Sequence, residues 1–240
     1  MVTRASTASD VRRLLRASAD PEKAAVLLGF FKTGPGEYGE GDRFYGVVVP
    51  ECRRIARAGR DLPEPELETL LSSAMHEERT VALLVMVERF ERGDESARSR
   101  VYRLYRKNLD RVNNWDLVDG SAPTIIGGHF EGRDRAQLYR WARSKSLWER
   151  RIAMLATFRY IRNGDFEDAL AIAGLLAGDD EDLIHKAAGW MLREIGNRNR
   201  AAEERFLRSH HRTMPRTMLR YAIEKFPEPL RKAYLNGRPK

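Results

Sequence analysis

The 240-residue chain holds a single cysteine, Cys52, so neither an internal disulfide nor a cysteine-based metal centre can be built from it alone. Cys52 lies in the helix-opening run PECRRIAR and reads as a small packing residue rather than a nucleophile. Long apolar runs are missing too. No stretch approaches the roughly 18 apolar residues of a membrane helix, and the opening MVTRASTASDVRR lacks the apolar centre of a signal peptide. A soluble, cytoplasmic chain is expected, with no membrane partner. Period-two alternation is nearly absent, which argues against strands. No G-x-x-x-x-G-K-[ST] occurs, so an ATP-driven mechanism has no support. The literal G-x-G-x-x-G from Gly34 to Gly39 follows AAVLLGFFKT, which reads as helix rather than strand, so a dinucleotide site is not expected. The five histidines lack an H-E-x-x-H spacing, and His210-His211 in a basic stretch fit a position near phosphate or in solvent. No metal and no cofactor is expected.

Lysine is also scarce. It supplies 8 of the 43 basic residues and arginine the other 35, against 35 acids, for a net charge of +8. The planar guanidinium fork suits bidentate phosphate contacts. Placement sharpens the point: residues 198–240 carry 12 Lys/Arg and 4 Asp/Glu, whereas residues 163–182 carry seven acids and no base, the pattern of a solvated outer helix.

What is present, from Ser9 onward, is apolar spacing of three and four, in a composition 42% hydrophobic and able to form a real core. Asp20-Pro21-Glu22 and Leu62-Pro63-Glu64 read as helix starts, and Gly93-Asp94, Asn163-Gly164-Asp165 and Gly178-Asp179 as stops followed by N-caps. Five segments share a polar opening and one apolar face: 78–90, 114–126, 148–160, 183–195 and 215–226. With Thr80, Asp116, Arg151, Lys186 and Thr217 taken as equivalent, the steps are 36, 35, 35 and 31 residues. Such steps fit a two-helix repeat that buries its face only by stacking on neighbours. The expected fold is all-α, a HEAT-like helical repeat solenoid whose second helices line a concave, basic groove. Trp115, Arg151 and Lys186 open those helices and would point into it. One domain over 1–240 is expected, with an N-terminal helix or tail at 1–19, a Gly-rich insertion at 34–46 and a C-terminal tail at 227–240.

Three clusters fall on these inner helices: Trp115-Asp-Leu-Val-Asp119, Trp148-Glu-Arg-Arg151 and His185-Lys-Ala-Ala-Gly-Trp190-Met-Leu-Arg193-Glu. In this order and spacing, with FFKTGPGEYGEGD (30–42) and TMPRTMLRYAIEKF (213–226), they resemble the AlkD-type DNA alkylation repair family over roughly residues 20 to 235. The resemblance implies a helical-repeat glycosylase that hydrolyses N-glycosidic bonds to cationic alkylpurines, chiefly N3-alkyladenine and N7-alkylguanine, in double-stranded DNA. It further implies a monomer that works from the backbone side, leaves the modified base in the duplex and tolerates bulky adducts.

The residues also have a reading of their own. Trp115 and Asp119 at i and i+4 share a helix face, while Asp116 faces elsewhere and can cap or salt-bridge. Cleavage leaves the sugar an oxocarbenium-like cation, which a neighbouring carboxylate stabilises while orienting water. Asp119 is the candidate for that role, and Trp115 and Trp190 complete the catalytic set by packing on the deoxyribose and backbone. Arg151, Lys186, Arg193, Arg216 and Arg220 are the candidate DNA contacts. Each has a plainer reading: core packing for the tryptophans, capping or pairing for Asp119, a salt bridge to Glu149 or Asp119 for Arg151. Phe30 or Phe31 can match an aromatic that the family brings to the lesion, but their spacing fits core packing equally, and neither enters the catalytic set. Two other functions fit the fold: a non-catalytic protein binding branched or distorted DNA, and a HEAT-like protein-interaction adaptor.

Overall fold

The computed structural model describes residues 4–237, so the ends of the expected terminal segments, 1–3 and 238–240, lie outside the described residues. Among those described there is no strand, only an isolated parallel bridge between Arg43 and Met75. The helices are α1 (Ala8–Ala17), α2 (Pro21–Phe30), α3 (Val49–Ala58), α4 (Glu64–Leu71), α5 (His76–Arg92), α6 (Glu95–Lys107), α7 (Trp115–Asp119), α8 (Gly128–Phe130), α9 (Ala136–Ala142), α10 (Leu147–Ala156), α11 (Phe158–Arg162), α12 (Glu167–Leu175), α13 (Asp182–Gly196), α14 (Arg200–His210), α15 (Arg216–Ala222) and α16 (Glu228–Leu235). The fold is all-α, as expected, and the helical-repeat pattern is visible in α5, α10, α13 and α15, which coincide with four of the five repeated segments.

Local chemistry sets these boundaries. Thr7 and Asp10 form a capping box at α1, Asp20 accepts from the backbone N–H groups of Glu22 and Lys23 at α2, and Asp94 caps α6. Asp179 was expected to cap the next helix, yet α13 begins at Asp182. The Asp179 carboxylate is occupied instead by the Arg150 guanidinium at 2.6 Å and the Glu181 N–H at 2.9 Å. The acidic stretch 163–182 is likewise only partly solvated, because Asp165 and Asp168 both pair with Arg135.

The chain divides into two compact units, one ending at Ile125 and the other beginning at Ile126. In the first, α5 packs on α3, α4 and α6, burying Ile55, Leu67, Val81, Val85 and Met86 completely. In the second, α13 is the hub, packed on α10, α12, α14 and α15. Its approach to α15 needs Gly189: a Cβ there would stand 2.4 Å from the Met218 carbonyl oxygen. The expected C-terminal tail contains α16, whose Tyr234 is buried against Phe226 and His211. His210 and His211 are half-buried rather than free in solvent, because each Nδ1 donates back to a carbonyl of α14.

Candidate active site

The segment 114–126, expected as one helix, is broken. Asn114 opens α7 by accepting the Trp115 backbone N–H at 2.8 Å, and α7 stops at Asp119 with Gly120 as its C-cap. A π-helical turn, Pro123–Gly127, follows. Pro123 has no N–H to continue the α ladder, so Asp119 sits at a helix break, while Ser121 donates to the Leu117 carbonyl and contacts the Tyr105 hydroxyl at 3.0 Å. Burial pushes the Tyr105 hydroxyl pKa well up and the Ser121 bond opposes this, while the negative charge of Asp119 adds to the rise.

Trp115 and Asp119 are both half-buried at the two ends of α7. The Trp115 ring stacks on Phe31 at 5.3 Å and meets Phe30 edge-on at 5.8 Å. Phe31 is buried, 7% exposed, as core packing requires, whereas Phe30 is 59% exposed. These rings, with Phe44, Val47 and His76, line a cavity of about 610 Å³. Cys52 also lines it, with its thiol donating to the Val47 carbonyl and burial raising its pKa to about 12. That is the chemistry of a packing residue.

Behind Trp115 lies a polar hub that periodicity did not reveal. The four residues opening α5, His76, Glu77, Glu78 and Arg79, are all buried. Glu77 accepts the N–H groups of Tyr45, Gly46 and Val47, and Glu78 accepts from the Tyr45 hydroxyl and Arg12. These bonds fix the end of the 34–46 insertion. Gly46 is required there, with φ +82° and an added Cβ only 2.0 Å from the Asp20 carbonyl oxygen. The insertion thereby delivers Asp42, which takes Arg79 Nη2 at 2.6 Å, His76 Nδ1 at 3.1 Å and Asn114 Nδ2 at 3.3 Å. His76 Nε2 reaches Asp116 at 2.8 Å, so Asp116 salt-bridges as expected. Burial tends to raise the Asp42 pKa, but the His76 bond and the Arg79 charge outweigh it and hold the carboxyl below its ordinary value.

In the second unit Trp190 is half-buried, with its ring 5.8 Å from Phe158 and its Nε1–H donating to Glu194 at 3.3 Å. Arg162 stands over the Phe158 ring at 4.2 Å. Phe158 escaped the sequence reading because it ends an apolar run that looks like core. Arg151 is 5% exposed, and its Nη1 donates to the Leu183 carbonyl at 2.5 Å. Lys186 pairs with Asp182 at 2.7 Å and Arg193 with Glu224. Arg216 is exposed and donates to the Leu235 carbonyl, and Arg220 is exposed on the last turn of α15.

A family model described as DNA alkylation repair enzyme matches residues 11–226. Among solved structures, one described as a predicted DNA alkylation repair enzyme from Enterococcus faecalis aligns with a TM-score of 0.67 at 16% identity, covering 88% of this chain and 98% of the other. No curated protein matches. At that identity the structural match speaks for the fold, and the family match, spanning nine-tenths of the sequence, carries the assignment: the chain belongs to the DNA alkylation repair enzyme family.

Proposed function

We propose that the protein is a monofunctional DNA glycosylase that hydrolyses the N-glycosidic bond of cationic alkylpurines, N3-alkyladenine and N7-alkylguanine, in duplex DNA without a tight base-flipping pocket. The observation that carries this reading is the pairing of an indole and a carboxylate, Trp115 and Asp119, at the two ends of the short helix α7, in a chain of an alkylation repair family. An alkylated purine is already a cationic leaving group, so departure needs no strong general acid. The developing charge is on the sugar, where one carboxylate lowers the barrier and orients the attacking water. In this reading Trp115 and Trp190 pack on the deoxyribose and its flanking backbone, and Arg151, Lys186, Arg193, Arg216 and Arg220 hold phosphates.

The test is release of 7-methylguanine from methylated duplex DNA by wild type and by Asp119→Asn. Removing one electrostatic stabiliser is expected to slow release roughly 100- to 1,000-fold with little change in DNA affinity. An Asp119→Asn protein as fast as wild type would overturn the assignment of the carboxylate.

A further inference from the structure

Two separate routes connect His76 to α7. Its Nε2 meets Asp116, the second residue of that helix, at 2.8 Å. Its ring also packs 4.9 Å from both Phe31 and Phe44, which are 5.1 Å from each other, and Phe31 in turn stacks on Trp115 at 5.3 Å. A polar bond thus fixes the backbone of α7 while a relay of rings fixes the indole. We propose that His76, in its doubly protonated form, is a positioning residue that sets the orientation of the Trp115 indole and, through Asp116, of the helix bearing Asp119. The inference rests on the reading of α7 as the carrier of catalytic groups and names what holds it in place.

The charge is integral to the geometry. Both ring nitrogens face carboxylates, Asp42 Oδ2 at 3.1 Å and Asp116 Oδ2 at 2.8 Å. A neutral imidazole donates from one nitrogen only, so it would turn a lone pair on one of these oxygens, and that carboxylate would have to withdraw. If it is Asp116, α7 loses an anchor. The charged groups around the ring are Asp42 from the insertion, Asp116 from α7 and Arg79 from its own helix; Phe31 and Phe44 complete the enclosure without charge. Burial and the Arg79 charge oppose protonation, but the bonds to Asp116 and Asp42 prevail and lift the pKa to about 9. The imidazolium therefore persists through neutral pH and is lost only in the alkaline range.

The test uses the full chain labelled with 5-fluorotryptophan and with 13C at histidine Cε1. The Trp115 fluorine signal, assigned by Trp115→Phe, is followed by NMR from pH 6 to pH 10, roughly from the free-histidine pKa to well above it, alongside the His76 signal, assigned by His76→Gln. Coincident alkaline midpoints are expected, and Asp116→Asn, which removes one favourable charge, should move both downward together. In single-turnover base release, His76→Gln should be about 10- to 100-fold slower, with DNA affinity nearly unchanged. A Trp115 signal that stays flat while His76 titrates overturns the proposal, as does a folded His76→Gln protein with the wild-type rate. Should wild type release no base, the glycosylase reading fails, and the two NMR midpoints still decide whether His76 positions Trp115. If His76→Gln does not fold, the wild-type and Asp116→Asn titrations remain decisive.

Discussion

At the scale of single residues, buried ionisable groups show the physics most directly. Glu203, 1% exposed, holds its carboxyl beneath α13, and its Oε1 has no hydrogen-bond partner among the described residues. Burial raises its pKa from 4.5 to about 8, against the pull of Arg200. Because the folded value lies above the unfolded one, this group's favourable contribution is complete below about pH 4.5 and disappears as pH climbs through about 8. Glu203→Gln should therefore raise the melting temperature by several degrees at pH 8.5 and scarcely change it at pH 4, as calorimetry can check; equal effects at both pH values would contradict the assignment. His76 carries the same sign, losing its contribution as pH rises from about 6.5 through about 9.

Residues of this kind were the least legible in the sequence. The opening of α5 carries Glu77 and Glu78 in its first turn, an ordinary place for acids at a helix N-terminus, yet His76, Glu77, Glu78 and Arg79 are all buried. The partner that makes this tolerable, Asp42, sits in a glycine-rich insertion that no periodicity connects to the helix. Cys52 and Asp116 were easier, because each has few physical options: a lone thiol packs, and an acid one step off the functional face finds a cation.

At the scale of elements, punctuation was legible wherever a side chain could cap only its own helix, as at Asp20 and Asp94. It failed where a distant partner competed for the cap, as Arg150 does for Asp179, and where proline and glycine divided a run that keeps its apolar period, as in 114–126. α7 is too short to be stable by itself, so its anchors matter more than its propensity. Asn114→Ala removes the N-cap and one donor to Asp42. It should cost about 1 kcal/mol or somewhat more, read from urea denaturation, and should slow base release as well. Gly189→Ala would place a methyl carbon against the Met218 carbonyl and 2.6 Å from Tyr221 Cβ. Overpacking of α13 on α15 should destabilise the fold by about 1–3 kcal/mol; an unchanged denaturation midpoint would show that the two helices separate freely.

For the molecule as a whole, the number of basic residues overstates the positive charge free to meet a phosphate, because several are held in ion pairs. In the basic C-terminal stretch Arg198 pairs with Glu194, Arg200 with Glu204 and Lys232 with Glu228, and Arg193 of α13 occupies Glu224. Arg220 is exposed at the end of α15. DNA affinity is expected to fall linearly on a log–log salt plot, and Arg220→Ala to reduce that slope by about one. Arg193→Ala should change it less, since Arg193 must first leave Glu224. Affinity indifferent to salt would instead favour a protein-binding adaptor. All-α architecture and the repeated segments were readable because stacking helices must keep one apolar face at a constant step. The candidate residues of the site could be named from the i, i+4 spacing of Trp115 and Asp119, but a carboxylate's role depends on what surrounds it.

The most direct measurement incubates the wild-type protein with duplex DNA carrying N7-methylguanine and resolves the products by chromatography and strand analysis. Free 7-methylguanine, appearing in step with unbroken abasic sites and without metal or cofactor, is the predicted result. Methyl loss with the guanine still attached, a nicked strand with the base in place, or tight binding with no product would contradict it.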